Sequence, residues 1–327
     1  MSTRRELANA VRALSMDAIQ QANSGHPGAP MGMADIAEVL WNDHLKHNPA
    51  NPGWWDRDRF VLSNGHASML LYSVLHLSGY DLPMSEIRNF RQMHSKTAGH
   101  PEFGETPGAE TTTGPLGQGF ANAVGMAIAE ENLRARFGAE AQDHHTFVIA
   151  GDGCMMEGIS HEAASLAGHL GLGKLICVFD DNLITIDGPT SLSTGDDTAA
   201  RFRAYGWDVV DLGEMADDLD GLEAALNAAK SETRKPSLLM LRSHIGEPSP
   251  DHTNTAGAHG NPFSTDDVTR TKDVMGIPDE PFWAPDDLVA ASRTAVGERG
   301  AAAHASWTDA SATVTASADW QAAWAGT

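Results

Sequence analysis

Two polar turns in this chain each follow an apolar stretch, and together they could bind a metal ion and a phosphate group. A Gly-Asp-Gly turn centred on Asp152 follows one stretch, and an Asp-Asp-Asn turn ending at Asn182 follows the next. The residues between them suffice for one helix and a returning strand, which would place both turns at one edge of a parallel sheet. Carboxylate, amide and carbonyl oxygens suit a hard cation such as Mg²⁺. A lone Gly-Asp-Gly turn is more typical of a helix cap, but the matching asparagine favours a metal site.

Four of the 15 histidines lie in loops rich in glycine and proline, where a ligand can approach the imidazole ring closely. They are His26, His66, His100 and His259. Imidazole can donate hydrogen bonds to phosphate or to sugar hydroxyl groups, and it can move protons near neutral pH. The spacing is not that of a zinc site, because no cysteine accompanies these histidines and no His-x-x-x-His pair is present.

Further polar motifs lie close to the same predicted edge. A Gly-Pro-Leu-Gly-Gln-Gly segment runs from Gly114 to Gly119 before a predicted helix. Amides at a helix N-terminus can bind an anion, although a plain helix-entry loop is an equally good interpretation of this segment alone. Glu157 and Glu162 follow the Gly-Asp-Gly turn, and the simplest interpretation is that they complement a helix dipole.

Strands and helices alternate along the chain in a way that would position these loops. Several of the predicted strands are almost continuously apolar, as expected for strands buried on both faces of a sheet. The predicted strands are Arg59–Leu62, Thr146–Ala150, Leu175–Phe179, Trp207–Val210 and Ser237–Leu241, and the clearest intervening helices are Ala121–Arg136, Ser160–Leu170 and Gly221–Glu232. We therefore predict an α/β fold with a doubly wound, mostly parallel sheet and helices on both faces.

A change in composition near Pro285 predicts two parts in the chain. Residues 1–284 carry the motifs, whereas residues 285–327 are rich in alanine and form a predicted helical extension or linker. Three tryptophans of this second part, Trp307, Trp320 and Trp324, look exposed, and we expect them to require a partner that covers them.

Composition excludes several classes of protein. The 327 residues include 41% hydrophobic and 20% charged residues, which is typical of a globular protein. The formal net charge of −22 argues against non-specific binding to nucleic acid. We expect no membrane span and no secretory signal, because no sufficiently long apolar run is present. Only two cysteines occur, Cys154 and Cys177, which fits a cytoplasmic location.

Taken together, these motifs resemble the transketolase family, from Arg5 to about Pro262. The matching segments occur in the family's order: Ser24–Gly28, Leu62–His66, Glu110–Gly119, Gly151–Gly153 and Asp181–Asn182. The resemblance is to the N-terminal, diphosphate-binding domain of a thiamine-diphosphate enzyme. It implies that this domain is 1–284, in the same doubly wound fold.

The resemblance also implies roles for individual residues. The divalent metal, Mg²⁺ or alternatively Ca²⁺ or another divalent cation, would be ligated by the side chains of Asp152 and Asn182 and by the backbone carbonyl of Ile184. His259 would contact both diphosphate and substrate, while His26 and His100 would line the sugar channel and act in catalysis. Glu157 and Glu162 match glutamates near the subunit interface. The residues around thiamine diphosphate would be His66, Gly114, Pro115, Leu116, Gly153, Asn182 and His259.

The implied activity is transfer of a two-carbon ketol unit from a ketose phosphate to an aldose phosphate, a reaction of the pentose phosphate pathway. The family's pyrimidine-binding domain, with its activating glutamate, has no counterpart in these 327 residues. The resemblance therefore implies a pyrimidine-domain polypeptide and a second copy of this chain as partners. Two alternatives stay open: half of a related enzyme, such as a deoxyxylulose-phosphate or dihydroxyacetone synthase, and a truncated, non-catalytic cofactor-binding module.

Overall fold

The computed structural model describes residues 3–325, which form an α/β fold around a parallel sheet of five strands. These strands are β1 (Arg59–Leu62), β2 (Thr146–Gly151), β3 (Leu175–Asp180), β6 (Asp208–Gly213) and β7 (Ser237–Leu241), and a separate antiparallel pair consists of β4 (Ile184–Thr185) and β5 (Gly188–Pro189). The strand order in the large sheet is β1-β2-β3-β7-β6, and every neighbouring pair is parallel. The predicted fold class is confirmed.

Fourteen α-helices connect and cover the strands of this part of the chain. They are α1 (Thr3–Ala22), α2 (Gly28–Gly32), α3 (Ala34–Val39), α4 (Ser68–Ser78), α5 (Met84–Arg88), α6 (Gln118–Phe137), α7 (Asp152–Met156), α8 (Gly158–Leu170), α9 (Thr198–Ala204), α10 (Leu219–Ser231), α11 (Ala256–Gly260), α12 (Thr265–Met275), α13 (Asp286–Thr315) and α14 (Ala318–Trp324). No helix within residues 3–325 is both long and apolar enough to cross a bilayer.

The predicted strands match the observed ones closely, while three helices begin earlier than predicted. β6 extends beyond the predicted Trp207–Val210 to Gly213, because it continues to pair with β7 through an irregularity after Asp211. Helices α6, α8 and α10 each start two or three residues before the first residue predicted from apolar spacing. In α10 the reason is a cap, since the Asp218 carboxylate accepts a hydrogen bond from the backbone N–H of Gly221.

Alternate residues of the central strands enter two separate cores, one on each face of the sheet. Ile149 of β2 and Val178 of β3 pack into a core with α1, α3, α4 and α10. Their neighbours Val148 and Cys177 pack on the opposite face with α6, α8 and α9. Because both faces are covered, β2 and β3 are buried along their whole length and are almost entirely apolar up to their carboxyl ends.

The C-terminal helices fold back onto the rest of the domain. Helix α13 packs against α4 and α1, and its Trp307 donates a hydrogen bond from Nε1 to the Ala141 carbonyl at 3.0 Å. Trp320 is buried against Phe137, and Trp324 stacks on Trp55 with ring centroids 4.1 Å apart. The expectation that these three tryptophans are exposed is therefore wrong, because Trp320 is buried and Trp307 and Trp324 are half-buried against residues of the same chain. That a partner covers the rest stays a prediction. The division at residue 284 stays a prediction.

A buried ion pair connects α1, which carries Asp17, with α12, which carries Lys272. Lys272 and Asp17 are 1% and 7% exposed, and Lys272 Nζ lies 2.9 Å from both carboxylate oxygens of Asp17. The same ammonium donates to the Glu280 carbonyl, and the Phe282 backbone N–H donates to Asp17. Both charges of this ion pair therefore have a partner inside the protein, and most of its hydrogen-bonding positions are occupied.

We expect Lys272→Met to lower the free energy of unfolding by about 3–5 kcal/mol, because it leaves the Asp17 carboxylate buried without a counter-charge. Urea unfolding followed by circular dichroism measures this loss. The matched control is Lys96→Met, which removes an exposed pair with Asp81 and should cost about 1 kcal/mol or less. Adding Asp17→Asn to Lys272→Met should recover part of the loss. Equal stability of Lys272→Met and the wild type would contradict this assignment.

Candidate active site

A cavity of about 440 Å³ opens at the carboxyl ends of β2 and β3. It is lined by the loops after these strands, by the loop before α2, and by the segments around His66, His100 and His259. Ten of the eleven predicted site residues line it: His26, His66, His100, Gly114, Leu116, Asp152, Gly153, Asn182, Ile184 and His259. The exception is Pro115, which is exposed and does not line the cavity.

Asp152 and Asn182 meet because of the register between β2 and β3. Gly151, the last residue of β2, pairs with Asp180, the last residue of β3. Asp152 then enters the first turn of α7, and its carboxylate accepts a hydrogen bond from the Leu183 backbone N–H at 3.2 Å. Leu183 has a left-handed φ of 63°, and this turn brings the chain back along the cavity into β4.

Three carboxylates, those of Asp152, Asp180 and Asp181, converge at this edge, which we call the acidic edge. Burial, together with the neighbouring Asp180 and Asp181, raises the pKa of Asp152 to about 8. Burial likewise raises the pKa of Asp180 to about 6. Among residues 3–325, Asp181 forms an ion pair with Arg242, whose Nε lies 3.1 Å from its Oδ2, whereas no ion pair holds Asp152 or Asp180. A cation at the acidic edge would therefore offset the cost of burying ionised carboxylates.

The donors at the acidic edge fit a hard divalent cation. Asp152 and Asn182 are both 9% exposed and both line the cavity with Ile184. No group of three or more His, Cys, Asp or Glu side chains within residues 3–325 is arranged to hold a metal ion. A site here would thus depend on the Asn182 amide oxygen and a backbone carbonyl, with further oxygens supplied by the ligand and water, as Mg²⁺ prefers.

Four imidazole rings line the same cavity and form the histidine cluster of His26, His66, His100 and His259. The ring centroid of His66 lies 4.9 Å from that of His26 and 5.0 Å from that of His259. The rings of His26 and His259 meet edge to face at 5.7 Å. His100 closes the cluster beside Gly114, where a Cβ would lie 3.2 Å from the His100 Cδ2 atom.

The histidine cluster is held neutral near pH 7. Burial and the neighbouring histidines lower the pKa of His66 to about 3. Burial, His259 and Arg91 lower the pKa of His26 to about 4, and burial also lowers the pKa of His100 and of His259. A neutral imidazole presents one N–H donor and one acceptor, so these rings can bind hydroxyl groups or accept protons.

Two glycines allow backbone segments to come together around the cavity. A Cβ on Gly65 would lie 2.7 Å from the Gly114 backbone nitrogen, so only glycine lets the His66 and Gly114 loops touch. A Cβ on Gly153 would lie 2.9 Å from the Leu116 side chain. Of the two, Gly153 lines the cavity next to Asp152 and leaves backbone without a side chain there, which suits the close approach of a diphosphate.

Some cavity residues were missed by sequence reasoning or were assigned elsewhere. Asn64 lines the cavity, and its buried Oδ1 has no hydrogen-bond partner among the described residues. The buried Nδ1 atom of His26 also has none. In the sequence, only the position of Asn64 within the Ser63–His66 motif could have indicated that it lines the cavity. Of the two glutamates, Glu157 lines the mouth of the cavity, whereas Glu162 lies exposed on α8.

Comparison with known proteins gives one consistent result. Residues 3–324 match the family model described as "Transketolase, thiamine diphosphate binding domain". Transketolase 1 of Vibrio cholerae is 57% identical over 312 residues, which cover 94% of this chain and 46% of that protein.

Solved structures agree with the match in sequence. A crystal structure of transketolase from Campylobacter jejuni superposes with a TM-score of 0.93 at 42% identity, covering 99% of this chain and 50% of that one. A Pichia stipitis transketolase in complex with sedoheptulose 7-phosphate gives the same TM-score and identity, covering 99% and 48%. The chain thus spans about half the length of the relatives it matches. It belongs to the transketolase family and corresponds to the thiamine diphosphate-binding domain of that family.

Proposed function

We propose that this chain provides the diphosphate-binding half of a transketolase, which transfers a two-carbon ketol unit from a ketose phosphate to an aldose phosphate. The observation that carries the proposal is that residues of the acidic edge and of the histidine cluster line one cavity. Sugar phosphates as substrates are supported by the complex of the Pichia stipitis relative with sedoheptulose 7-phosphate. We place the reaction in the pentose phosphate pathway.

The acidic edge would hold the cation and the diphosphate end of the cofactor. Asp152, Asn182 and the Ile184 carbonyl would bind Mg²⁺, with Ca²⁺ or another divalent cation as the alternative. Gly153, Gly114 and Leu116, with Pro115 beside them, would lie around the diphosphate, and His66 and His259 would donate hydrogen bonds to the cofactor. When bound, thiamine diphosphate supplies a carbanion and an electron sink for making and breaking carbon–carbon bonds.

The histidine cluster would bind and orient the sugar. His26, His100 and His259 are neutral donors and acceptors that line the cavity. They would hydrogen-bond to hydroxyl groups of the donor sugar and would accept or return the proton of a hydroxyl as the adjacent carbonyl forms or is consumed. Their lowered pKa values keep these imidazoles unprotonated near pH 7.

Activity would require residues beyond this domain. The relatives are about twice as long as the matched segment. We propose that a pyrimidine-binding domain completes the site and supplies the group that activates the cofactor, and that the active assembly contains two copies of this chain. A cytoplasmic location belongs to the same proposal, and it is supported by Cys154 and Cys177, which are both free thiols.

We expect Asp152→Asn to weaken cation-dependent binding of thiamine diphosphate by about 3 kcal/mol, because it removes the charged ligand of the cation. Isothermal calorimetry with Mg²⁺ and thiamine diphosphate measures this loss. The fold should be unharmed, since asparagine has nearly the same shape and, like the carboxyl with its pKa of about 8, is uncharged near pH 7 in the absence of a cation. Asp309→Asn, an exposed change on α13, serves as the matched control and should bind like the wild type. Unchanged affinity of Asp152→Asn would reject the cation site.

We expect His100→Ala to lower kcat by roughly ten- to a hundred-fold with little change in cofactor affinity, because His100 would contact the sugar. Steady-state rates are measured with the pyrimidine-binding domain supplied and a ketose phosphate and an aldose phosphate as substrates. His169→Ala, at an exposed position of α8, is the control. Equal turnover of His100→Ala and the wild type would remove His100 from the catalytic residues.

We expect residues 1–327 alone to bind thiamine diphosphate with Mg²⁺ but to show no ketol transfer. Adding a polypeptide that carries the pyrimidine-binding domain should restore transfer, and sedimentation should show two copies of each polypeptide. Assays with several aldose acceptors distinguish transketolase from the related synthases. Robust turnover by residues 1–327 alone would contradict the proposed division of the site. Cofactor binding without transfer under every condition would instead indicate a non-catalytic module.

A further inference from the structure

The side-chain amide of Asn182 lies between a hydrogen-bond acceptor and a hydrogen-bond donor. Its Nδ2 donates to Asp180 Oδ2 at 3.0 Å, and its Oδ1 accepts from the Ile184 backbone N–H at 3.0 Å. A carboxylate can only accept, and a backbone N–H can only donate. Rotating the amide by 180° would therefore create two repulsive contacts in place of two hydrogen bonds. These two partners therefore determine the orientation of the Asn182 amide, with Nδ2 towards Asp180 and Oδ1 towards the Ile184 N–H.

Asp180 is itself fixed by a residue from the neighbouring strand. Its side chain is buried at the end of β3, and Ser243 Oγ donates to its Oδ1. Asp180 pairs with Leu241 of β7, so Ser243 lies just beyond the end of that strand. Ser243 is also buried, at 1% exposure. Each oxygen of the Asp180 carboxylate thus has one assigned partner, Ser243 on one side and Asn182 on the other.

We propose that Asp180 and Ser243 are positioning residues for the cation site, which act by directing the Asn182 amide oxygen into the cavity. This inference rests on the proposed function, because it assumes that Asn182 is a ligand of the cation. The Ile184 N–H occupies one lone pair of Oδ1, and the second remains for the cation. If the amide turned over, its NH₂ group would face the cation and the ligand would be lost.

The arrangement also explains why the buried Asp180 carboxylate lies next to the proposed ligands of the cation although it is not itself one of them. An uncharged acceptor would hold the amide more weakly, since hydrogen bonds to an ionised group are roughly twice as strong as neutral ones. The Ser243 hydroxyl in turn donates to the other oxygen of this carboxylate. Such outer partners of metal ligands typically change metal affinity roughly ten- to a hundred-fold when they are removed.

The test is the Mg²⁺ dependence of thiamine diphosphate binding in Ser243→Ala. We expect the apparent Kd for Mg²⁺ to rise roughly tenfold or more, and we expect cofactor affinity at saturating Mg²⁺ to return to the wild-type value. Ser243→Thr retains the hydroxyl group and should bind Mg²⁺ more tightly than Ser243→Ala. The matched control is Ser237→Ala, which removes another buried serine hydroxyl of the β7 region, one with no hydrogen-bond partner among the described residues.

The outcomes separate this inference from the proposed function. If Ser243→Ala and Ser237→Ala show the same Mg²⁺ dependence as the wild type, the inference is overturned while the cation site stands. It is also overturned if Ser243→Ala loses cofactor affinity that saturating Mg²⁺ does not restore, because that loss would reflect general damage. If the wild type itself binds thiamine diphosphate without any Mg²⁺ dependence, the proposed function fails, and the inference fails with it.

Discussion

The parallel register between β2 and β3 is the constraint on which the cavity depends. Gly151 and Asp180 are paired at the ends of these strands, so the next residues of both strands leave the sheet at the same level. This register places Asp152 and Asn182 close together without requiring any contact between their side chains. The register is in turn fixed by burial on both faces, since a slip by one residue would move every side chain of β3 into the wrong core.

The electrostatics of the cavity follow from its position inside the fold rather than from the net charge of the protein. Carboxylates at the acidic edge are held out of water at the ends of central strands, and their pKa values rise. The imidazoles of the same cavity are also out of water, and their pKa values fall. Desolvation therefore disfavours charge on both sets of groups. The carboxylates are left in need of a cation, and the imidazoles are left as neutral hydrogen-bonding groups.

Much of this arrangement could be predicted from the sequence, because local patterns determine it. Continuous apolar runs indicated β2 and β3, and the turns after them indicated the residues that meet at the sheet edge. Contacts between distant segments could not be predicted in the same way. Nothing near Asp180 indicates that Ser243 is its partner, and nothing near Asn64 indicates that its amide oxygen is buried without one. The tryptophans near the C-terminus were misjudged for the same reason, because their partners Phe137, Ala141 and Trp55 are far away in the chain.

The ion pair between Asp17 and Lys272 has a consequence for how this domain is made in the cell. Its two members are 255 residues apart, and α1, which carries Asp17, lies in the core against α3 and α4. A ribosome adds about 5–20 residues per second, so roughly 13 to 50 seconds pass between synthesis of the first helix and synthesis of its counter-charge. During that time the Asp17 carboxylate has no Lys272 to pair with, although α3 and α4, which pack on α1, are made early. The native surroundings of α1 are therefore completed only when the chain has been made as far as Lys272 and Phe282.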